Sequence, residues 1–252
     1  MTKDQHAYVS RDFYHFVGRS TLSQPSQTYD ILLKVLDSEC VSHPPHTGDW
    51  GTVKITEDLS KKLLTEDLIV PTVTCFCDIP LKSLGIHMKK YGKFAVGFKR
   101  EYLLQYGVRP VIYVPYNELN WMAAHGGLNV LGEIEAKYKG FAKQVVPKAK
   151  KAKLKPNPLT SEPTNYSQAI KTLQSVLQLH ILSFIKPFNS SLPEDDSNNF
   201  YMEREWRKFG NLRFKPENVE SVIVDDPFVD QFKTDRPIYA DRVISAANIA
   251  GS

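Results

Sequence analysis

The order of strand and helix segments along the chain constrains the fold more than any other feature of the sequence. Short runs with alternating or continuous apolar residues predict six or seven strands, most of them in the middle and the C-terminal third. Examples are "TVTCFC", "KFAVGFKR", "RPVIYVP" and "VESVIV". Apolar residues at helical spacing predict four helices, among them "TYDILLKVLDSEC", "LKSLGIHMKKYG" and "YSQAIKTLQSVLQLHILSFIKPF", the last of which is ended by Pro187. The segment from Val41 to Leu59 is rich in Pro, His, Gly and Thr and predicts a loop. Because these segments do not alternate regularly, we expect an α+β fold and not a doubly wound parallel sheet.

The length and composition are those of a folded globular protein. The chain has 252 residues, of which 42% are hydrophobic, so it can bury a sizeable core. We expect a single domain over residues 1–252, with a lysine-rich insertion at about 136–158. No apolar run approaches the roughly 18 residues that span a bilayer, and the polar start "MTKDQHAYVSRDF" lacks the apolar core of a secretory signal. These features predict a cytoplasmic protein with no membrane partner.

Cysteines and glycines exclude several kinds of site. The three cysteines, Cys40, Cys75 and Cys77, do not make a disulfide framework. One residue separates Cys75 from Cys77, whereas zinc sites usually place about two to four residues between paired cysteines. We therefore expect no metal site, and cysteines that serve as small hydrophobic residues. The chain also lacks a glycine-rich phosphate loop of either standard type, so it does not predict an ATP site or a Rossmann site.

Lysines are concentrated in one segment. From Ala136 to Pro158 the chain carries eight lysines and no acidic residue. Such a run is either a solvated, mobile loop or an arm that binds phosphates, because clustered lysines release counterions when they neutralise a polyanion. In the second interpretation Tyr138 and Phe141 could stack on bases beside the charge. The candidate nucleic-acid residues are Lys143, Lys148, Lys150, Lys151, Lys153 and Lys155.

Two carboxylates stand two residues apart in "NNFYMEREWRKFGNLRF", which otherwise has the pattern of a buried strand. Strand alternation places Tyr201, Glu203, Glu205 and Arg207 on one side. In one interpretation Glu205 pairs with Arg207 or Arg204 in a surface ion network that adds little stability. In the other, the glutamates line a cleft, where a carboxylate holds a sugar hydroxyl and stabilises an oxocarbenium-like centre as a leaving group departs.

Such chemistry also needs a ring to stack on a flat leaving group and a hydrogen-bond donor to fix the ribose. Tyr91 (or Tyr14) and His15 have suitable side chains for these two tasks, although they lie on separate segments. A lone histidine between aromatic residues is more often a satisfied core residue, so both interpretations of His15 stay open. Asp78 precedes a proline at a strand end, where an aspartate commonly caps the following helix.

Two blocks of the sequence resemble a known family. "CFCDIPLKSLGIHMKKYGKFAVGFKREYLLQYGVRPVIYV" and "YMEREWRKF" are similar to blocks of the AbiGi-type family of bacterial abortive phage-infection proteins. The "YHF" and "ILLKVL" stretches near the start form a weaker third element. The combination and order of the blocks are fairly specific. The resemblance implies a bacterial protein of an anti-phage system.

A more distant similarity links the chain to ADP-ribosyltransferases, including the DNA-modifying DarT toxins. It implies a split mixed or antiparallel sheet core flanked by helices, as in ADP-ribosyltransferases, with NAD as co-substrate. Carried over by position, the implied catalytic residues are Glu205 and Glu203, and the implied cofactor-binding residues are His15, Phe16, Arg19 and Tyr91. Glu205 would act on the nicotinamide ribose and Glu203 on the acceptor, while His15 would hold the adenosine-side ribose or the nicotinamide amide. These roles imply that His15 and Glu205 face each other across a groove that fits a dinucleotide.

The main hypothesis is therefore an NAD-dependent ADP-ribosyltransferase that acts as the toxin of an abortive-infection toxin–antitoxin system. The lysine-rich segment favours a nucleic-acid acceptor, RNA or single-stranded DNA, whose base is exposed for attack. A toxin of this kind implies a cognate antitoxin protein as partner. The alternative is a non-enzymatic antitoxin or regulatory binding partner of such a system. A third hypothesis is an NAD glycohydrolase, in which water replaces the acceptor.

Overall fold

The computed structural model describes residues 10–42, 53–117, 126–151, 166–196 and 198–250. Its strands are β1 Asp12–Phe16, β2 Cys40–Val41, β3 Ile55–Glu57, β4 Ile69–Pro71, β5 Val73–Cys77, β6 Ala95–Lys99, β7 Arg109–Pro110, β8 Ile112–Tyr116, β9 Ile185–Asn189, β10 Glu205–Phe209, β11 Leu212–Arg213, β12 Val219–Val224 and β13 Val243–Ser245. Its α-helices are α1 Pro25–Asp37, α2 Leu84–Tyr91, α3 Arg100–Gln105, α4 Gly127–Gly140, α5 Val146–Lys151, α6 Tyr166–Val176, α7 Val229–Asp235 and α8 Ala247–Ala250. Short 3-10 or π-helical turns used below are Leu81–Ser83, Phe141–Val145, Leu177–Ile181, Leu182–Phe184 and Phe200–Glu203.

The chain forms two compact units. Unit 1 consists of Met1–Val53, Thr72–Val111 and Pro193–Ser252, and unit 2 consists of Lys54–Pro71 and Ile112–Leu192. The lysine-rich segment lies in unit 2. The single-domain organisation stays a prediction.

Unit 1 is built on a seven-stranded sheet with the order β13-β12-β6-β1-β5-β10-β7. Its neighbouring strands pair antiparallel, except for β12 and β13, which are parallel. With helices packed on both faces, this mixed sheet confirms the prediction of an α+β fold. The finer prediction, an ADP-ribosyltransferase-like split sheet, is not confirmed.

The strand register assigns the side chains of this sheet to two faces. Tyr14 and Glu205 both lie opposite Cys77, so these three residues share one face, which we call the Tyr14 face. Phe13 and Phe76 alternate with them and point to the other side, the Phe13 face. The faces belong to separate hydrophobic clusters. The sequence position of a residue on its strand therefore decides which site it can join.

Amphipathic helices cover both faces. Pro25 starts α1, where the missing N–H costs no helical hydrogen bond. Leu32 and Leu36, spaced one turn apart, pack α1 into the cluster on the Phe13 face. On the other side, Leu84 and Met88 pack α2 against the Tyr14 face. Both helices thus hold their polar sides toward solvent.

Unit 2 has its own hydrophobic core. Strands β8 and β9 pair in parallel, and β3 and β4 pair antiparallel. The buried core side chains are Leu63, Leu68, Ile69, Leu131, Tyr138, Ala142, Leu182 and Ile185. Helix α4 supplies two of them, Leu131 and Tyr138, which lie seven residues apart and therefore on one face of the helix.

Three sequence predictions on element bounds are wrong. "RPVIYVP" is not one strand, because β7 joins the seven-stranded sheet of unit 1 whereas β8 pairs with β9 in unit 2. The long helix predicted to stop at Pro187 ends with the turn Leu182–Phe184, and the proline lies within β9. Part of the loop predicted from Val41 to Leu59 forms β3.

None of the helices in the described ranges combines the length and the apolar character that spanning a bilayer requires. Cytoplasmic localisation stays a prediction.

Candidate functional site

Glu205 begins β10 on the Tyr14 face and is buried, with 7% of its surface exposed. Arg207, two residues along the same strand, donates from Nε to Oε1 at 2.7 Å and from Nη2 to Oε2 at 3.2 Å. Such a forked pair satisfies both carboxylate oxygens and neutralises the charge. The ion-network interpretation of the sequence predicts this pairing correctly. It predicts the pair at the surface, however, whereas the pair lies inside the protein.

Glu203 lies in the turn Phe200–Glu203, not in the strand. Arg204 follows in the left-handed region with a φ of 44°, so the strand alternation expected from Tyr201 onward begins only at Glu205. The Glu203 carboxylate is buried and accepts hydrogen bonds from the Tyr91 hydroxyl and from Lys90 Nζ, the latter at 2.7 Å. Both predicted catalytic carboxylates thus bind cations of their own chain.

Asp78 fixes this turn and does not cap the next helix. Its backbone N–H donates to the Arg204 carbonyl oxygen at 3.1 Å, and its carboxylate accepts from Ser10 N at 3.1 Å and from Arg204 Nη2 at 3.3 Å. Pro80 stands at the start of the following turn without a side-chain cap. Burial raises the pKa of Asp78, and the Arg204 charge opposes that shift.

An aromatic and cationic cluster surrounds Glu203. The His87 ring lies 4.8 Å from the Phe16 ring and stacks at 4.4 Å on Tyr91, while the Arg19 guanidinium lies 5.3 Å from the Tyr91 ring centre. Burial lowers the pKa of His87 to about 4, and the nearby Lys90 adds to this, whereas the glutamates oppose it. Burial and then the Glu203 charge raise the pKa of Tyr91. Three of the predicted cofactor-binding residues therefore meet around His87 and Glu203.

His15 does not join this cluster. It alternates with Tyr14 on β1, packs on Phe76 at 5.8 Å between ring centres, and donates from Nδ1 to the Cys75 carbonyl oxygen at 2.8 Å. The ring therefore belongs to the Phe13 face, on the opposite side of the sheet from Glu205. The expectation that His15 and Glu205 face each other across a groove is wrong. Glu205 and Tyr14 both lie opposite Cys77 and share its face, whereas His15 is the residue after Tyr14 and points to the other face.

A groove of about 750 Å³ opens beside α2 in unit 1. We call it the α2 groove. Apolar side chains line part of it, among them Ile79, Ile86, Met202 and Ile249. Glu203 also reaches it.

The lining of the α2 groove carries charges of both signs. Lys82 and Lys89 come from the turn Leu81–Ser83 and from α2, and Asp195 and Asp196 come from the segment that precedes β10. Both lysines are exposed, and neither has an ion-pair partner among the described residues. The groove is therefore lined by basic, acidic and apolar side chains.

The lysine-rich segment is helical as far as the structure describes it. Lys143 and Lys148 are exposed on the turn Phe141–Val145 and on α5, and the backbones of Lys150 and Lys151 continue α5. The interpretation as a loop is thus wrong for the described part. Lys153 and Lys155 lie outside the described residues.

The two rings expected to stack on bases are occupied elsewhere. Tyr138 is buried in the unit 2 core, where its hydroxyl donates to Glu57 and accepts from Gln178 Nε2 at 2.8 Å. Phe141 packs against the same core. A nucleic-acid role for the lysines stays a prediction, without the predicted stacking.

Sequence reasoning missed two members of the site. Lys90 pairs with Glu203, and the Phe200 ring lies 4.3 Å from its ammonium. The available signal was that Lys90 neighbours Tyr91 on a short helix. Among the described residues, no group of three or more histidine, cysteine or acidic residues is placed to hold a metal ion.

The comparison with protein families agrees with the blocks quoted above. A family model described as "Putative abortive phage resistance protein AbiGi, antitoxin" matches residues 52–237. The chain belongs to the AbiGi family. This membership confirms the resemblance that the DIPL and REWR blocks predict.

AbiGi membership also corrects the main functional hypothesis. The prediction of an NAD-dependent ADP-ribosyltransferase toxin is wrong, because the description of the AbiGi family names an antitoxin and no enzymatic activity. Nothing in the comparisons supports the predicted nucleic-acid acceptor. NAD binding was expected only as part of the transfer reaction and stays an untested prediction.

One curated relative has the AbiGi name. The chain is 30% identical over 64 residues to the abortive phage resistance protein AbiGi of Lactococcus lactis subsp. cremoris. The aligned part is 23% of this chain and 26% of the relative, so the chain spans about a quarter of the relative's length. No solved structure matches the chain.

Proposed function

We propose that the chain is the antitoxin of an abortive phage-infection system and that it neutralises its cognate toxin by binding it. The observation that carries this proposal is the AbiGi match over residues 52–237, whose description names an antitoxin. The Lactococcus relative, named as an abortive phage resistance protein, supports the same kind of system. The proposal requires no chemistry from this chain.

The site geometry is consistent with a binding role. Both buried glutamates have cationic partners within their own chain, Arg207 for Glu205 and Lys90 for Glu203. A carboxylate held in this way stabilises a turn or a strand, and its charge is already compensated. His15, the residue expected to hold the ribose, lies on the opposite face of the sheet. These arrangements support a structural role for the glutamate pair.

A growth assay tests the proposal directly. The chain is expressed alone in a bacterial host, the growth-arresting protein of the same abortive-infection system is expressed alone, and both are expressed together. We expect normal growth with the chain alone, arrest with the toxin alone, and restored growth with both. A copy of the gene with an early stop codon serves as control and should not restore growth.

Binding is tested separately with the purified proteins. We expect the mixture to elute as one complex in size-exclusion chromatography, because neutralisation by binding requires a stable association. Growth arrest by the chain alone would overturn the proposal. Rescue of growth without any complex would contradict the binding mechanism.

A further inference from the structure

The α2 groove has the construction of a protein-binding site. Specific interfaces combine an apolar centre, which is removed from water, with a polar rim that sets orientation and the association rate. Ile79 and Ile249 are buried in the groove, whereas Ile86 has 39% of its surface exposed and offers apolar area to a partner. A volume of about 750 Å³ accommodates several side chains of a docked segment.

The charged side chains of the groove that form no ion pair within the described part of the chain indicate the chemistry of the partner. Lys90 and Arg204 line the groove but pair with Glu203 and Asp78. By contrast, Lys82 and Lys89 have no ion-pair partner among the described residues, so their charges remain available to a ligand.

Two acidic residues of the same groove have the complementary sign. Asp195 is exposed, and Asp196 accepts a hydrogen bond from the Asn198 backbone at 2.7 Å. A ligand that matches this lining needs acidic, basic and apolar groups together. A small anion or cation alone would leave the charges of one sign unmatched.

We propose that the α2 groove takes an amphipathic segment of the toxin. Its apolar side chains contact Ile86 and Met202, its acidic side chains lie beside Lys82 and Lys89, and its basic side chains lie beside Asp195. This inference rests on the proposed antitoxin function and adds where and how the toxin binds. The residues that carry it lie in unit 1.

The first experiment reverses the charge of Lys82 and Lys89. The Kd for purified toxin is measured by biolayer interferometry for the full chain and for the double variant Lys82→Glu/Lys89→Glu. We expect at least a tenfold weaker Kd, mostly through slower association, and a weaker dependence of the association rate on salt. The matched control is Lys34→Glu/Lys233→Glu, which makes the same charge change at exposed sites of unit 1 away from the groove. The control should keep the wild-type Kd within twofold.

The second experiment removes the apolar contact. Ile86→Asp places a charge on an exposed apolar part of the groove lining. We expect at least a tenfold weaker Kd with an unchanged urea unfolding midpoint, since the side chain is already partly exposed. Wild-type affinity in both groove variants would overturn the groove as the docking site while leaving the antitoxin function intact. Absence of toxin binding by the wild-type chain would instead overturn the proposed function.

Discussion

Glu205 and Arg207 place opposite charges on one strand inside the protein, with 7% and 6% of their surfaces exposed. A buried pair of this kind adds little net stability, because desolvation offsets the attraction, but removal of one partner leaves an uncompensated charge. We expect Arg207→Met to lower the free energy of unfolding by about 3–5 kcal/mol in urea denaturation at pH 7.

Two comparisons test this explanation. Glu205→Leu/Arg207→Met removes both charges and should recover most of the lost stability, since no charge is then left buried. Lys99→Met breaks the exposed pair with Glu220, whose side chains are 58% and 43% exposed, and should cost less than about 1 kcal/mol. An equal cost for Lys99→Met and Arg207→Met would show that burial of the pair is not the cause.

His87 makes the stability depend on pH. Its pKa is about 4 in the folded protein, below the ordinary value of 6.5. Between these values the unfolded chain binds the proton more strongly, so the stability from this group is complete above pH 6.5 and is lost as the pH falls toward 4. The full contribution is on the order of 3 kcal/mol.

We therefore expect His87→Phe to flatten the pH dependence of unfolding. The ring keeps its contacts with Phe16 and Tyr91 but cannot take up a proton. Free energies of unfolding are measured at pH 7.5 and 4.5, and the drop should be roughly 2–3 kcal/mol smaller in the variant. Ile86→Phe, a non-titrating change one residue away, should keep the wild-type drop. Parallel profiles for wild type and His87→Phe would refute this assignment.

Local spacing revealed one part of the site and hid another. Glu205 and Arg207 are two residues apart, so strand alternation alone predicts their pairing. The contacts of Glu203 with Lys90 and Tyr91 join residues more than a hundred positions apart, and no local pattern encodes them. The prediction for His15 was wrong for the same reason, because the face that its side chain occupies depends on the register of β1 with another strand.

At the scale of elements, close packing around Gly97 on β6 leaves no room for a larger side chain. An added Cβ would lie 2.5 Å from the Ser221 hydroxyl and 2.9 Å from a Tyr14 ring carbon. Because this strand lies in the middle of the sheet, the neighbours have little room to move. We expect Gly97→Ala to lower the free energy of unfolding by about 1–3 kcal/mol.

The matched control is Gly132→Ala on α4. No atom lies within 4 Å of the added Cβ there, and alanine favours a helix, so we expect a gain of up to about 1 kcal/mol. Urea denaturation of both variants measures the difference. If both substitutions changed stability in the same direction, packing against Tyr14 and Ser221 would not be the limiting factor.

Elements were predictable where the pattern is local and continuous. "FAVGFK" and "VESVIV" form β6 and β12 as expected, because their apolar runs fit buried strands. "RPVIYVP" has the same pattern, but its two halves pair with strands that lie far apart in the sequence. The helix before Pro187 ended early because Ile185 and the following residues find a parallel partner in β8. In both segments, pairing with a strand far away in the sequence determined where the element begins and ends.

At the scale of the whole molecule, the chain passes between the units four times. Unit 1 is made of three segments and unit 2 of two, so neither is one continuous stretch of sequence. Unfolding of unit 2 alone would leave its two segments as long loops that constrain unit 1. We therefore expect the chain to unfold as the single domain that the sequence predicts.

Leu131→Ala tests this cooperativity. Leu131 is 2% exposed in the unit 2 core, and its truncation should cost about 2–5 kcal/mol. Replacement of Trp50 and Trp121 by phenylalanine leaves Trp206 in unit 1 as the fluorescent reporter. If the chain unfolds cooperatively, the urea midpoint from Trp206 fluorescence must shift together with the midpoint from far-ultraviolet circular dichroism. Val96→Ala, in the unit 1 core, supplies the reverse test and should move both signals equally. If Leu131→Ala moved only the circular dichroism signal, the two units would be separate domains, because the loss of one core would then leave the other intact.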